Sequence, residues 1–214
     1  MRVLGFSWLA SLFLGGCATA PPSSASGPDV GDYVPLEVGH TWTYAVRFPG
    51  QTGERTVRIV SQDDEGFFVD DAGGAFRLTP AGLRDRQRYL IRTPIEAGRT
   101  WSAVISASAV EHYTLVSSGA PCECRAGRFA DCLVVEAKIR RDPQVTLRSR
   151  FVWARRVGLV EVSTAVLHAT RGELPQTEQS LLRYSLGTGT PAAMPAVEGA
   201  PDEEDEGAPT TWGR

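Results

Sequence analysis

The sequence predicts an all-β protein: an antiparallel meander of about eleven or twelve short strands, curved into a half-barrel or barrel. Three observations lead there. From Tyr33 to Leu186 apolar residues recur with a period of two, interrupted by Gly-, Pro- and Asp-containing turns. No convincing amphipathic helix occurs in that span, so the dry face of the sheet must be covered by the sheet itself, with a two-sheet sandwich as the alternative. Finally, one segment that reads as a strand entry occurs twice.

Pro35-Leu36-Glu37-Val38-Gly39-His40-Thr41-Trp42-Thr43 returns 59 residues later as Pro94-Ile95-Glu96-Ala97-Gly98-Arg99-Thr100-Trp101-Ser102. Proline fixes φ and has no N–H for a ladder, so Pro35 and Pro94 belong before a strand. Gly39 and Gly98 permit a sharp entry. Trp42 and Trp101 are then the first large inward residues. These six positions are expected to be structural. Glu37 and Glu96 recur with them and are expected to hold the turn, although a carboxylate pair is in principle capable of acid–base work. His40 stands where its twin is Arg99, which argues against catalysis there.

Along the chain, residues 1–16 read as a secretory signal. Arg2 is its basic head and Val3–Leu14 its apolar stretch, too short to span a membrane. Residues 17–31, rich in Ala, Pro and Ser, read as a tether, and 32–187 as the β-domain. Its first strand puts Trp42, Tyr44, Val46 and Phe48 on one face. Val57 and Ile59 follow, then a hairpin from Phe67–Asp70 and Phe76–Thr79 across Gly73-Gly74. Arg84–Arg92 is less regular; Arg84, Arg86 and Arg88 alternate there onto what reads as a solvated strand edge. Trp101, Ala103, Ile105 and Ala107 repeat the inward face, followed by Tyr113 and Leu115. Leu133, Val135, Ala137 and Ile139 face inward in the next strand, and Val145, Leu147, Phe151 and Trp153 after the Asp142-Pro143 turn. Val160–Thr170 and Glu178–Leu186 complete the meander. Residues 188–214 read as a disordered acidic tail. That tail carries Glu198, Asp202, Glu203, Glu204, Asp205 and Glu206 against Arg214, which is −5 of a total of −3, leaving the rest at +2. No nucleic-acid footprint is present in that balance.

Leu14-Gly15-Gly16-Cys17 resembles the lipobox of bacterial lipoproteins. The resemblance implies cleavage before Cys17, acylation of Cys17 and, with Ala18 and Thr19 rather than Asp following it, delivery to the outer membrane. Two or more acyl chains give stable anchoring where one does not. The repeat, together with Gly127-Arg128-Phe129-Ala130-Asp131-Cys132-Leu133-Val134-Val135 and Arg156-Val157-Gly158-Leu159-Val160, is similar to segments of uncharacterised bacterial envelope lipoproteins. Cys122-Glu123-Cys124 departs from that pattern. At fold level the domain is similar to the half-barrel carriers of the Lol lipoprotein-sorting system, which close their barrels with helices.

Cys122, Cys124 and Cys132 belong to an oxidising compartment on this reading, where disulfides persist. A hairpin turning near Ala126-Gly127 sets Cys132 opposite either Cys122 or Cys124. A three-residue loop centred on Gly127 favours Cys122, and Cys124 is the alternative. A zinc site from the three cysteines and His112 is the competing arrangement, with a C-x-C spacing uncommon for zinc. His40, His112 and His168 form no recognisable nucleophile motif, and no G-x-S-x-G, H-E-x-x-H or phosphate-loop sequence is present. The expectation is a lipid-anchored protein of the outer membrane that acts without catalysis, metal or cofactor and binds an apolar or envelope ligand inside its curved sheet. A protein–protein or structural module of the envelope is the alternative.

Overall fold

The computed structural model describes residues 28–187. The signal 1–16, Cys17, the tether up to residue 27 and the 188–214 tail lie outside the described residues. The chain opens with one helical turn, α1 (Val30–Tyr33), capped by Asp29, whose carboxylate accepts from the Gly31 N–H at 3.2 Å. Twelve strands follow: β1 (Thr41–Phe48), β2 (Gln51–Gln62), β3 (Phe68–Asp70), β4 (Ala75–Thr79), β5 (Gly82–Arg84), β6 (Tyr89–Arg92), β7 (Thr100–Ser106), β8 (Ala109–Cys124), β9 (Gly127–Arg140), β10 (Val145–Ala154), β11 (Gly158–His168) and β12 (Gly172–Ser185).

All twelve form one antiparallel sheet in the order β6-β5-β4-β3-β2-β1-β12-β11-β10-β9-β8-β7. The chain starts mid-sheet, steps outward to β6, crosses to the far edge at β7 and steps back until β12 pairs with β1. The sheet curls into a nearly closed barrel, as the period-two pattern predicts. Its two edges, β6 and β7, meet at a seam with no ladder between them. Side chains bridge the seam instead. The Trp101 indole donates to the Tyr89 carbonyl at 2.9 Å, and Arg88 reaches the buried Glu111 carboxylate, which also accepts from the Tyr113 hydroxyl at 2.5 Å. Burial, and then that bond to Glu111, hold the Tyr113 phenol well above its usual titration range.

The two repeat copies are superposable in their bonding. Gly39 and Gly98 have φ of 96° and 87°, open to glycine and costly for other residues. Each donates its N–H at 2.8 Å to the carbonyl of the neighbouring strand, Ile59 or Leu115, and each Trp sits one pair into its hairpin, opposite Val57 or Tyr113. Trp42 and Trp101 are 7% and 8% exposed.

Two packed clusters fill the fold. One joins Val30, Tyr33, Leu83, Ile91, Trp101, Tyr113, Leu115, Leu133, Val135 and Trp153. The other joins Trp42, Tyr44, Val46, Ile59, Cys132, Val134, Val152, Ala154, Val160 and Leu181. Neighbouring residues of β9 and β10 therefore feed different clusters, so these strands are buried on both faces over part of their length. The tip of the β8–β9 hairpin supplies the extra cover. Cys122, Cys124, Ala126 and Phe129 pack on the second cluster, and the Arg125 N–H donates to Ser180 Oγ of β12 at 3.1 Å.

Several readings need correction. Phe48 is 46% exposed, because it ends β1 beside the Pro49-Gly50 turn. Arg84, Arg86 and Arg88 do not share a strand face. The Asp85 carboxylate accepts from the Gln87 and Arg88 N–H groups, both at 2.7 Å, and this turn separates β5 from β6. The sheet does not cover its dry face unaided: α1 adds Val30 and Tyr33, both fully buried, so packed structure begins inside the segment read as tether.

Candidate functional site

Where the two clusters face each other the packing leaves a cavity of about 250 Å³. Trp42 and Tyr44 of β1, Val57 and Ile59 of β2, Phe76 of β4, Leu83 of β5, Leu90 of β6, Phe151 and Trp153 of β10 and Leu159 of β11 wall it, and Val34, Pro35 and Leu36 approach from the chain entry. Arg55, Asp70 and Gln179 are its charged and amide-bearing members. Arg55 is exposed and marks the lip.

The polar tips of the wall are already engaged. The Trp42 indole donates to the Val157 carbonyl at 2.7 Å, and the Tyr44 hydroxyl to the Leu159 carbonyl at 2.9 Å. Burial raises the Tyr44 phenol above its ordinary titration range, so it stays neutral at any physiological pH. Apart from Arg55 and Asp70 the wall is uncharged, which suits an apolar occupant. Gly158 sits against Trp42. A Cβ built there would lie 3.1 Å from Trp42 Nε1, at a φ of 105° that glycine tolerates best, so this glycine makes room for the indole.

The repeat residues divide between structure and cavity. Pro35 and Trp42 line the cavity, whereas Trp101 belongs to the seam and stacks on Tyr113, with ring centroids 5.2 Å apart. His40 is 5% exposed and held between the Pro35 carbonyl, 2.9 Å from Nδ1, and the Glu37 carboxylate, 3.3 Å from Nε2. Its proton on Nδ1 serves the turn, so Glu37 is a turn partner here.

Cys122 and Cys132 form a disulfide with a Cα separation of 5.9 Å. The pairing is the favoured one, but its geometry differs from expectation. The turn is Arg125-Ala126, with Cys124 opposite Gly127 and Cys122 opposite Phe129. Cys132 pairs with Ala120, and register shifts in β8 around Gly119 and Pro121 carry the bridge across diagonally. Cys124 is unpaired. Its Sγ lies 3.7 Å from the Leu181 carbonyl, and burial raises its thiol pKa. The disulfide takes two thiolates out of the zinc arrangement, and His112 bonds elsewhere, its Nδ1 lying 2.9 Å from Ser102 Oγ.

That Ser102–His112 contact went unread in the sequence, because the strand register that creates it is a tertiary fact. It sits on the exposed face of β7–β8, with no ion pair from His112 to a carboxylate among the described residues. A serine–histidine pair without an orienting third group lacks the arrangement that activates a nucleophile.

No family model and no curated protein matches the sequence. Two solved structures are similar in part. One is a Bacteroides fragilis protein, inferred to be exported, with a YmcC-like fold: 13% identity, TM-score 0.43, covering 72% of this chain and 98% of that one. The other is a Parabacteroides distasonis protein inferred to be a lipoprotein: 11% identity, TM-score 0.39, with the same coverage.

Proposed function

We propose that this chain is a non-enzymatic lipoprotein, anchored through Cys17 to the outer membrane, whose barrel interior takes up one slender apolar molecule. The observation that carries the reading is the cavity between the two clusters. Its volume of about 250 Å³ falls just under the ~300–1,000 Å³ typical of small-molecule pockets. That favours a single hydrocarbon chain over a two-chain lipid. The exposed guanidinium of Arg55 at the lip suits a ligand whose head is acidic. The lipobox supports the anchor.

The test is titration with brominated palmitate, followed by tryptophan fluorescence. Trp42 and Trp153 line the cavity, and bromine quenches on contact. Saturable quenching is expected in the wild type and should be lost in Leu90→Phe, which narrows the cavity. Unsaturable quenching, or equal quenching in both proteins, would dismiss the reading.

A second reading, a protein–protein module, has one observation in its favour. Edge strand β7 carries no charged residue, and Val104 and its cross-strand partner Val110 are 73% and 41% exposed. Such an edge is a template for strand addition.

A further inference from the structure

Phe67 is 3% exposed yet belongs to neither core cluster. Arginines cover it. The guanidinium carbons of Arg77, Arg84 and Arg86 lie 4.9, 5.8 and 4.8 Å from its ring centroid. Arg84 also lies 5.7 Å from the Tyr89 centroid, and Arg92 lies 5.0 Å from it on the same ring. Four guanidinium groups are thus strung along two aromatic rings, with Arg84 shared between them.

Five arginines meet four carboxylates in this region, and the carboxylates are shared unevenly. Arg86 pairs with Asp63 and Glu65, and the neighbouring Arg88 with Asp85 and Glu111. Arg77, Arg84 and Arg92 have no carboxylate within ion-pair distance among the described residues. Arg77 and Arg84 even stand directly opposite each other in the β4–β5 ladder, where like charges repel. Arg77 donates to the Glu65 carbonyl, and Arg84 to the carbonyls of Asp85 and Arg86, which cancel no net charge. The Nε groups of Arg77 and Arg92 are buried with no acceptor. Contact with the rings restricts these side chains, so less freedom remains to be lost when they bind.

We propose that Arg77, Arg84 and Arg92 form a binding site for a phosphate-class anion. Guanidinium forks match the oxygens of phosphate bidentately, and with five arginines against four carboxylates the cluster keeps a net positive charge for an anion. The anion is either soluble phosphate or the phosphoryl group of a lipid head. The site is separate from the apolar cavity: none of Phe67, Arg77, Arg84, Tyr89 and Arg92 lines it.

The test uses the full mature chain carrying Cys17→Ser, which removes the expected acyl anchor. It is titrated calorimetrically with inorganic phosphate at low ionic strength, and separately with vesicles of phosphatidylglycerol or phosphatidylcholine. Arg92→Gln should weaken binding about tenfold or more, as loss of a charged hydrogen-bond donor implies, and Arg84→Gln likewise. Arg47→Gln, in an ion pair with Glu178 elsewhere on the barrel, should leave it unchanged. Arg92 covers only the half-exposed Tyr89, so its variant keeps the test valid if Arg84→Gln uncovers Phe67 and fails to fold. Arg92-dependent binding of phosphate alone identifies a soluble anion. Arg92-dependent binding of phosphatidylglycerol vesicles, but not phosphatidylcholine vesicles, identifies a lipid head. Absence of saturable binding in both arms, or binding indifferent to both variants, overturns the proposal.

Discussion

Trp42 and Trp101 show how one residue type closes a barrel in two places. Each follows a glycine turn, fills its own cluster and donates its indole N–H to a carbonyl outside its hairpin: Val157 for one, Tyr89 for the other. Truncating either to Ala removes a buried aromatic and should cost about 3–5 kcal/mol in urea unfolding. Trp→Phe keeps most of the apolar area but orphans the carbonyl, and should cost about 1–3 kcal/mol. A Trp42→Ala protein with wild-type stability would show that the repeat is not a packing device. The positions of these tryptophans were legible because the nine-residue segment recurs with its glycine and proline in register. Their acceptors were not legible, since Val157 lies 115 residues from Trp42 and nothing local marks it.

Among the elements, the β8–β9 hairpin departs most from a simple strand pair. Leu133, Val135 and Ala137 were readable as one inward face. The burial of Cys132 and Val134 was not, because the cover on that side is the hairpin's own tip, folded back by register shifts that a period-two pattern does not encode. The disulfide holds that fold-back. For a bridge of sequence separation 10, its loss should lower stability by at most about 3 kcal/mol. The sharper effect is local. With Cys122 and Cys132 both changed to Ser, trypsin should cut at Arg125 or Arg128 before any other site, as the tip lifts from Ser180 and Leu181. Unchanged cleavage order in the double variant would mean that packing alone secures the tip.

At the scale of the whole molecule, the meander brings two edges together without pairing them. The barrel form was legible because twelve strands' worth of alternation came without a helix large enough to cover one side. The seam was not legible, because Arg88 and Glu111 are brought together only when the crossover from β6 to β7 is known. The Glu111 side chain is 6% exposed, with Arg88 and Tyr113 as its partners. Replacing Glu111 with Ala leaves the Arg88 guanidinium with Asp85 alone and the buried Tyr113 hydroxyl without its acceptor, and should cost about 1–3 kcal/mol. Exchange of the β6 and β7 amides should rise ahead of those of β9 and β10. Uniform acceleration across the sheet would deny the seam a separate role.

The interior that this closure creates is the centre of the functional account, and its occupancy can be read directly. The protein is purified from its own envelope in mild detergent, washed, extracted with organic solvent, and the extract weighed by mass spectrometry against a Leu90→Trp variant whose cavity is filled. The account predicts a single-chain apolar molecule at close to one per wild-type chain and its loss from the variant. Extracts with the same lipid content from both proteins would contradict it.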